Sequence, residues 1–367
     1  AETYGSVFRI NILHFVIIFT HSPEMTKFLG NGLVTARNHE QWYKQRRIMD
    51  PAFSSYLRGL MSTFNERADK LMDKLSEHAD NKTVANMLHL FNCVAMDIIA
   101  KVAFGVELDL LRTSSPFPKA VETCLKGMCY YVRDATFETG AQWINQRKTA
   151  MQNGEDVPKD ILTQIIKSAR QESMGKEDEE FMLDNFVTFF IAQETTANQL
   201  AFCVMELGRH PDIVEARKEV DEVIGMKREI NYDDLGNLTY LSQVLKESLR
   251  LYPPLVGTSR DLNNDMVIDG IRIPGGLSTY TACRLEKFFK DPMKFDPDRF
   301  HPDAPPYYCY YPFALGPRAC LGQNFAQMEA KVVMAKLLQR FDFTLVPGQS
   351  FDVRDTGTLR PKSGVPC

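Results

Sequence analysis

The stretch from Asn185 to Met205 does most to limit what this chain can fold into. Phe186, Val187, Phe189, Phe190, Ile191 and Ala192 leave a helix there with no polar side. A helix apolar on nearly all faces has to be wrapped by others, so it runs through the middle of a large domain. Asp184 is a good N-cap and sets the expected start just after it. Gln193, Glu194, Thr195 and Thr196 then interrupt the apolar run. An acid and hydroxyls in the centre of a buried helix are costly unless they find partners or perform a task.

The flanking sequence supplies the wrapping. Gln41 to Met49, Ser55 to Ala79, Asn86 to Phe104 and Pro118 to Tyr131 carry apolar residues at helical spacing. Val7 to Ile12 and Phe15 to Phe19 read as a hairpin, Glu24 to Leu29 as a short helix, and the polar segment Gln171 to Glu180 as an exposed loop. Beyond Leu255 the texture changes to short strands and turns. The expected fold class is mainly α with small β-sheets near both ends, and a length of 367 residues leaves one large domain or two smaller ones open. A hydrophobic fraction of 44% with 25% charged residues suits a globular chain, and a net charge of −4 gives no electrostatic reason to expect nucleic-acid binding. No apolar run approaches the length of a membrane span. The opening Ala1-Glu2-Thr3-Tyr4-Gly5 leads straight into strand-like sequence and reads as an internal start without a signal peptide.

The chemistry concentrates between Tyr310 and Phe325. Pro312, Gly316 and Pro317 prevent a regular helix before Cys320, and Leu321, Phe325, Met328, Val332 and Ala335 then form one apolar helical stripe. Cys320 thus falls at a loop-to-helix junction, where free N–H groups and the dipole of a helix N-terminus favour a thiolate, the form of sulfur that binds metal. Arg318 adds a cation, Gly322 removes a side chain beside the sulfur, and Gly316 lets the loop bend tightly against something flat. The eight cysteines include no CxxC pair, which favours a reducing compartment and argues against structural zinc. A lone cysteine is ordinarily a buried structural thiol.

The ordered set Phe313, Gly316, Arg318, Cys320 and Gly322 resembles the haem-binding signature of the cytochrome P450 family, in which that cysteine is the axial ligand of the iron. Other elements of the resemblance follow in family order. Trp42 and Arg46, four apart and so on one helix face, resemble the WxxxR pair that contacts a haem propionate; Arg260 and Arg318 are implied as further propionate partners. Glu247 and Arg250 on a helix ending at Pro253-Pro254 resemble the ExxR pair, and Arg299 in Phe295-Asp-Pro-Asp-Arg-Phe300 resembles the third member of that structural network. Glu194 and Thr195 resemble the acid–alcohol pair that delivers protons for oxygen activation, although either residue could instead be satisfied structurally within a buried helix. The family has Ala-Gly-x-Glu/Asp-Thr where this chain has Ala192-Gln193-Glu194-Thr195, one residue fewer. Each residue of an α-helix turns about 100°. Either a local irregularity absorbs the shift or the pair turns away from the iron.

The resemblance implies a P450 fold with haem b held between a long central helix and the Cys320 loop and its helix. It further implies a monomeric monooxygenase on the cytoplasmic face of the endoplasmic reticulum membrane, with electrons from NADPH through the flavoprotein NADPH–cytochrome P450 reductase. Asp160-Ile-Leu-Thr-Gln, Glu219-Val-Asp-Glu-Val-Ile-Gly, Leu241-Ser-Gln-Val-Leu-Lys-Glu and the run from Phe325 to Arg340 are similar to sterol-hydroxylating members, which implies a sterol, cholesterol foremost, hydroxylated on its side chain. Relative to them the chain looks shortened near residues 29/30, 138/139, 192/193 and 275/278. A second class, a non-catalytic haem- or sterol-binding protein, shares Cys320 and the ExxR network but lacks proton delivery.

Overall fold

The computed structural model describes residues 32–36, 38–54, 57–80, 82–113, 130–171, 177–211, 213, 215–257, 266–268, 271–273, 279–304 and 309–367. The expected hairpin at 7–19, the short helix at 24–29, the joints at 29/30 and 275/278, and Arg260 lie outside them.

Its helices, in order, are α1 (His39–Ser54), α2 (Met61–His78), α3 (Met87–Phe104), α4 (Tyr130–Gln152), α5 (Ile161–Gln171), α6 (Glu177–Arg209), α7 (Glu215–Val223), α8 (Tyr232–Asn237), α9 (Thr239–Leu251), α10 (Thr279–Ala282) and α11 (Gln323–Arg340). Short 3₁₀ turns at Leu57–Leu60 and Pro297–Phe300 complete the helical part. Among the described residues the strands form two antiparallel pairs. β1 (Met266–Ile268) pairs with β2 (Ile271–Ile273) in the register Met266 to Ile273. β3 (Val353–Asp355) pairs with β4 (Leu359–Pro361) in the register Arg354 to Arg360.

The central helix α6 has 33 residues, starting at Glu177 and not after Asp184. Four glutamates and aspartates at its first turn, Glu177-Asp178-Glu179-Glu180, suit the positive end of a helix dipole, so the acidic segment read as loop is partly helix. Phe190, Ala197, Leu200, Ala201, Phe202 and Met205 are buried along it. α3 packs along α6 over the widest helix contact in the molecule. The 18 residues of α3 are long and apolar enough to cross a membrane, contrary to the reading of the sequence, yet 83% of that window is buried inside the protein, as befits a core helix. Phe104 at its end stacks on Phe190 with ring centres 5.3 Å apart, and Trp143 of α4 joins them at 5.8 Å from Phe104.

Both ends of α3 are fixed chemically. Asn86 caps the start, its side chain accepting from the His89 N–H at 3.0 Å. Gly105 ends it in the left-handed conformation, φ +67°, with its N–H returning to the Lys101 carbonyl at 2.9 Å. Around that cap Arg147 of α4 reaches both Asp160 oxygens at 2.6 Å and the Phe104 carbonyl at 2.9 Å, so α3, α4 and the start of α5 meet at one buried cation. A Cβ at Gly105 would stand 2.8 Å from Asp160 Oδ2 and 2.9 Å from Arg147 Nη2, whereas one at Gly154, also left-handed at φ +73°, meets nothing within 4 Å. Left-handed strain in a non-glycine residue costs about 1–2 kcal/mol. Gly154→Ala is therefore expected to lose no more than that in denaturant unfolding, and Gly105→Ala to lose more because it also disturbs the ion pair; equal losses would refute the Gly105 account.

Asp97, inside α3, accepts the Leu110 N–H with both oxygens, at 3.0 and 3.2 Å, and burial raises its pKa from 3.8 to about 6 despite that hydrogen bond and nearby Arg67. Because the folded pKa is the higher one, the folded state holds this proton more tightly. The resulting stabilisation is complete below about pH 4 and is lost as pH rises through 6. It amounts to something on the order of 3 kcal/mol. Asp97→Asn is expected to flatten this part of the stability–pH curve, measured by urea midpoints from pH 4 to 7.

Candidate functional site

Cys320 sits two residues before Gly322, the N-cap of α11, so the sulfur precedes the helix and is not part of its first turn. The loop is closed behind it: the Cys320 N–H donates to the Phe313 carbonyl at 2.8 Å, and the Ala319 N–H to the Gly316 carbonyl at 2.9 Å. Gly316, at φ +76°, supplies the bend, and a Cβ there would meet nothing within 4 Å. Ala314 shares the left-handed region at φ +58°. A Cβ on Gly322 would approach the Cys320 sulfur to 4.0 Å. The sequence argument expected a thiolate favoured by its surroundings. Cys320 is exposed at the loop surface, yet the loop packed around its sulfur withdraws enough water to raise its pKa, outweighing the Gly322 N–H and the Arg46 cation, which both lower it.

Residues almost three hundred positions apart meet around this loop. Arg318 lies over the Trp42 ring at 4.3 Å and donates to the Ala36 carbonyl at 2.9 Å. Arg46 donates to the Ala319 carbonyl, the residue before Cys320, at 2.6 Å, and pairs with Asp50 at 2.6 Å. Trp42 is buried and the His39 ring rests against it at 5.6 Å. α1 is thus docked on the Cys320 loop through Trp42 and Arg46. Asp50, His39 and the Ala36 carbonyl carry no sequence motif that could have placed them here.

The loop rests on a buried ionic network. Glu247 and Arg250 of α9 are both fully buried and joined in two places, Arg250 Nε to Glu247 Oε2 at 2.6 Å and Nη2 to Oε1 at 2.8 Å. Arg250 also donates to the carbonyls of Cys283, Pro292 and Lys294 at 2.7–3.1 Å. Arg299 approaches Glu247 at 3.4 Å, and the Asp296 N–H donates to Glu247 at 2.8 Å. From this frame Tyr310 rises into the Cys320 loop, its hydroxyl on the Lys246 carbonyl at 3.1 Å and its ring 4.7 Å from Phe300. Removing one member of a buried, hydrogen-bonded ion pair costs about 3–5 kcal/mol. Arg250→Lys, which keeps the charge but cannot serve Glu247 and three carbonyls together, is expected to lose most of that in chemical denaturation; retention of wild-type stability would contradict this role.

α6 runs unbroken through 192/193, and α4 through 138/139, with no local irregularity at either point. Ala192 is exposed and Thr188 and Thr195 half-buried, which marks one accessible stripe at helical spacing. The Thr195 hydroxyl donates to the Ala192 carbonyl at 2.7 Å. Glu194 lies on a different, buried face, where Arg360 approaches it at 4.0 Å. The continuous helix brings Thr195 to the accessible side and leaves Glu194 off it.

Among the described residues no group of three His, Cys, Asp or Glu side chains could hold a metal ion. A metal at Cys320 would then have a single protein donor and would bring its other ligands with it. A thiol on an uncovered glycine loop, with Arg46, Arg318 and Trp42 gathered beside it, fits a flat, anionic iron macrocycle in chemistry and in access. A helical domain with one such thiol on a cation-flanked loop has the donor set of a haem-thiolate protein. Comparison with known proteins gives the same result. The family model Cytochrome P450 matches residues 16–132 and 116–365. The chain is 26% identical over 408 residues to cytochrome P450 4d2 of Drosophila melanogaster, covering 92% of this chain and 81% of that protein. It is 30% identical over 366 residues to cytochrome P450 4c21 of Blattella germanica, covering 87% and 72%, and 28% identical over 385 residues to 11-oxo-beta-amyrin 30-oxidase of Glycyrrhiza uralensis, covering 93% and 72%. A crystal structure of a cytochrome P450 superposes with a TM-score of 0.84 at 25% identity, covering 94% of this chain and 82% of that one. The chain belongs to the cytochrome P450 family. The P450 fold and the haem-dependent monooxygenase class follow from that membership.

Proposed function

We propose that the chain is a haem-thiolate monooxygenase that hydroxylates a sterol, cholesterol at side-chain C24 foremost, with O2 and electrons from NADPH delivered by NADPH–cytochrome P450 reductase at the endoplasmic reticulum membrane. The observation that carries the catalytic part is the gathering of Trp42, Arg46 and Arg318 around the Cys320 loop. The sterol is supported by the resemblance of residues 219–225, 241–247 and 325–340 to cholesterol 24-hydroxylase, and by the polycyclic substrate named for the Glycyrrhiza relative.

In this reading Cys320 would bind the haem iron through its sulfur, with Phe313, Gly316 and Gly322 shaping the loop around it. Trp42, Arg46, Arg318 and Arg260 would hold the haem carboxylates, and Glu247, Arg250 and Arg299 would keep the loop in place. When bound, the haem supplies the oxygen-activating chemistry, and a thiolate ligand favours O–O cleavage. The residues of the chain bind, orient and move protons. Thr195, on the accessible side of α6, would pass a proton on, and Glu194, on the adjoining buried face, would be its acid partner.

A second reading, a haem- or sterol-binding protein without turnover, is favoured by one observation: Glu194 faces Arg360 and not the accessible stripe. The two separate in a reconstituted assay with reductase, NADPH and either cholesterol or lauric acid. The monooxygenase reading expects 24-hydroxycholesterol, with NADPH consumed in proportion. Hydroxylated laurate alone would replace the sterol with a fatty acid. Consumption that yields peroxide and no hydroxylated product with either compound would favour the second reading.

A further inference from the structure

On the buried side of α6, Glu194 and Asn198 stand four residues, and so one turn, apart. Opposite them the C-terminal hairpin presents Thr358, in the bend before β4, and Arg360, within β4. Asn198 Nδ2 donates to Thr358 Oγ1 at 3.0 Å, and Arg360 Nη1 stands 4.0 Å from Glu194 Oε1. Asn198 is 0% exposed, Thr358 4% and Glu194 5%. Four residues of helix advance about 6 Å and two residues of chain span at most about 7 Å, so both contacts can be made together. The hairpin itself is anchored. Arg360 is registered against Arg354 of β3, the Leu359 N–H donates to the Pro254 carbonyl at 2.8 Å, and Leu359 is buried in the core. Glu194 lies about 100° around the helix from Thr195 and about 160° from Ala192.

We propose that Thr358 and Arg360 form a two-point clamp on α6, in which Arg360 is the positioning residue that holds Glu194 turned from Thr195 and so sets whether the acid can serve the alcohol. The inference rests on the monooxygenase reading for its consequence, not for its geometry. When Arg360 releases Glu194, the Thr195 hydroxyl gives its proton onward and takes one from the Glu194 carboxyl, which water then reprotonates. The clamp also explains why a glutamate is tolerated in so apolar a helix: its charge has a half-buried cation 4.0 Å away.

The test uses the haem-loaded full chain with Glu194→Gln, Arg360→Gln and the double variant. Thermal midpoints, which need no turnover, are expected to be non-additive, with the second substitution costing little once the first is present. In reductase-supported turnover of cholesterol, Arg360→Gln is expected to raise the product-to-peroxide ratio roughly twofold or more, and Arg360→Lys, which keeps the cation, to stay near wild type. Additive midpoints overturn the clamp. Non-additive midpoints with an unchanged or lower ratio overturn the positioning role. If no variant turns over cholesterol or lauric acid, the monooxygenase reading fails, and the midpoints still decide the clamp. Should Arg360→Gln not fold, the cycle of Asn198→Ala with Thr358→Val reads the other point of the same clamp.

Discussion

Arg250 is the interaction on which the rest of the site depends. Its guanidinium binds Glu247 at two points and three backbone carbonyls from a segment that has no regular secondary structure to hold it. Segments of that kind are held by side chains or not at all, because each buried carbonyl otherwise lacks a donor. With Cys283, Pro292 and Lys294 fixed, Arg299 and Tyr310 have a frame to rest on, and the Cys320 loop rests on them. Burial raises the pKa of Glu247, opposed by both arginines and the Asp296 N–H. The network therefore specifies geometry more than it adds stability, as expected when desolvation consumes much of the attraction between buried charges.

On that frame the site is assembled from opposite ends of the described chain. Arg318 on Trp42 and Arg46 on the Ala319 carbonyl couple α1 to the loop, so these two cations are oriented by aromatic and backbone contacts. The loop glycines leave its surface uncovered. The protein thus contributes one sulfur, a rigid support and a set of cations, and leaves the difficult chemistry to the cofactor.

Much of this was legible in the sequence because its signals are local. The apolar run around Phe190 marked the central helix, the prolines and glycines around Cys320 marked a loop, and Glu247 to Arg250 spacing marked one helix face. Helix ends were less legible: α6 begins at Glu177 because an acidic first turn suits its dipole, although the same residues taken alone read as solvated loop. The thiol was misjudged for a different reason. Helix-end and Arg46 effects are visible as residue types, but the loss of water around the sulfur of an otherwise exposed Cys320 comes from how the loop packs, and it outweighs them. The partners of Glu194 and Asn198 were invisible, since Arg360 and Thr358 lie some 160 positions away and carry no motif. The membrane-length apolarity of α3 passed unnoticed for the converse reason, because its pattern is that of a core strip shared with α6.

The measurement that bears most directly on the central claim is the absorption spectrum of the haem-loaded protein, reduced and treated with carbon monoxide, recorded beside Cys320→Ala and Cys309→Ala. The account predicts a strongly red-shifted Soret band that survives in Cys309→Ala and is lost in Cys320→Ala. A band that persists without Cys320, or folded protein that retains no haem with Cys320 intact, would contradict it.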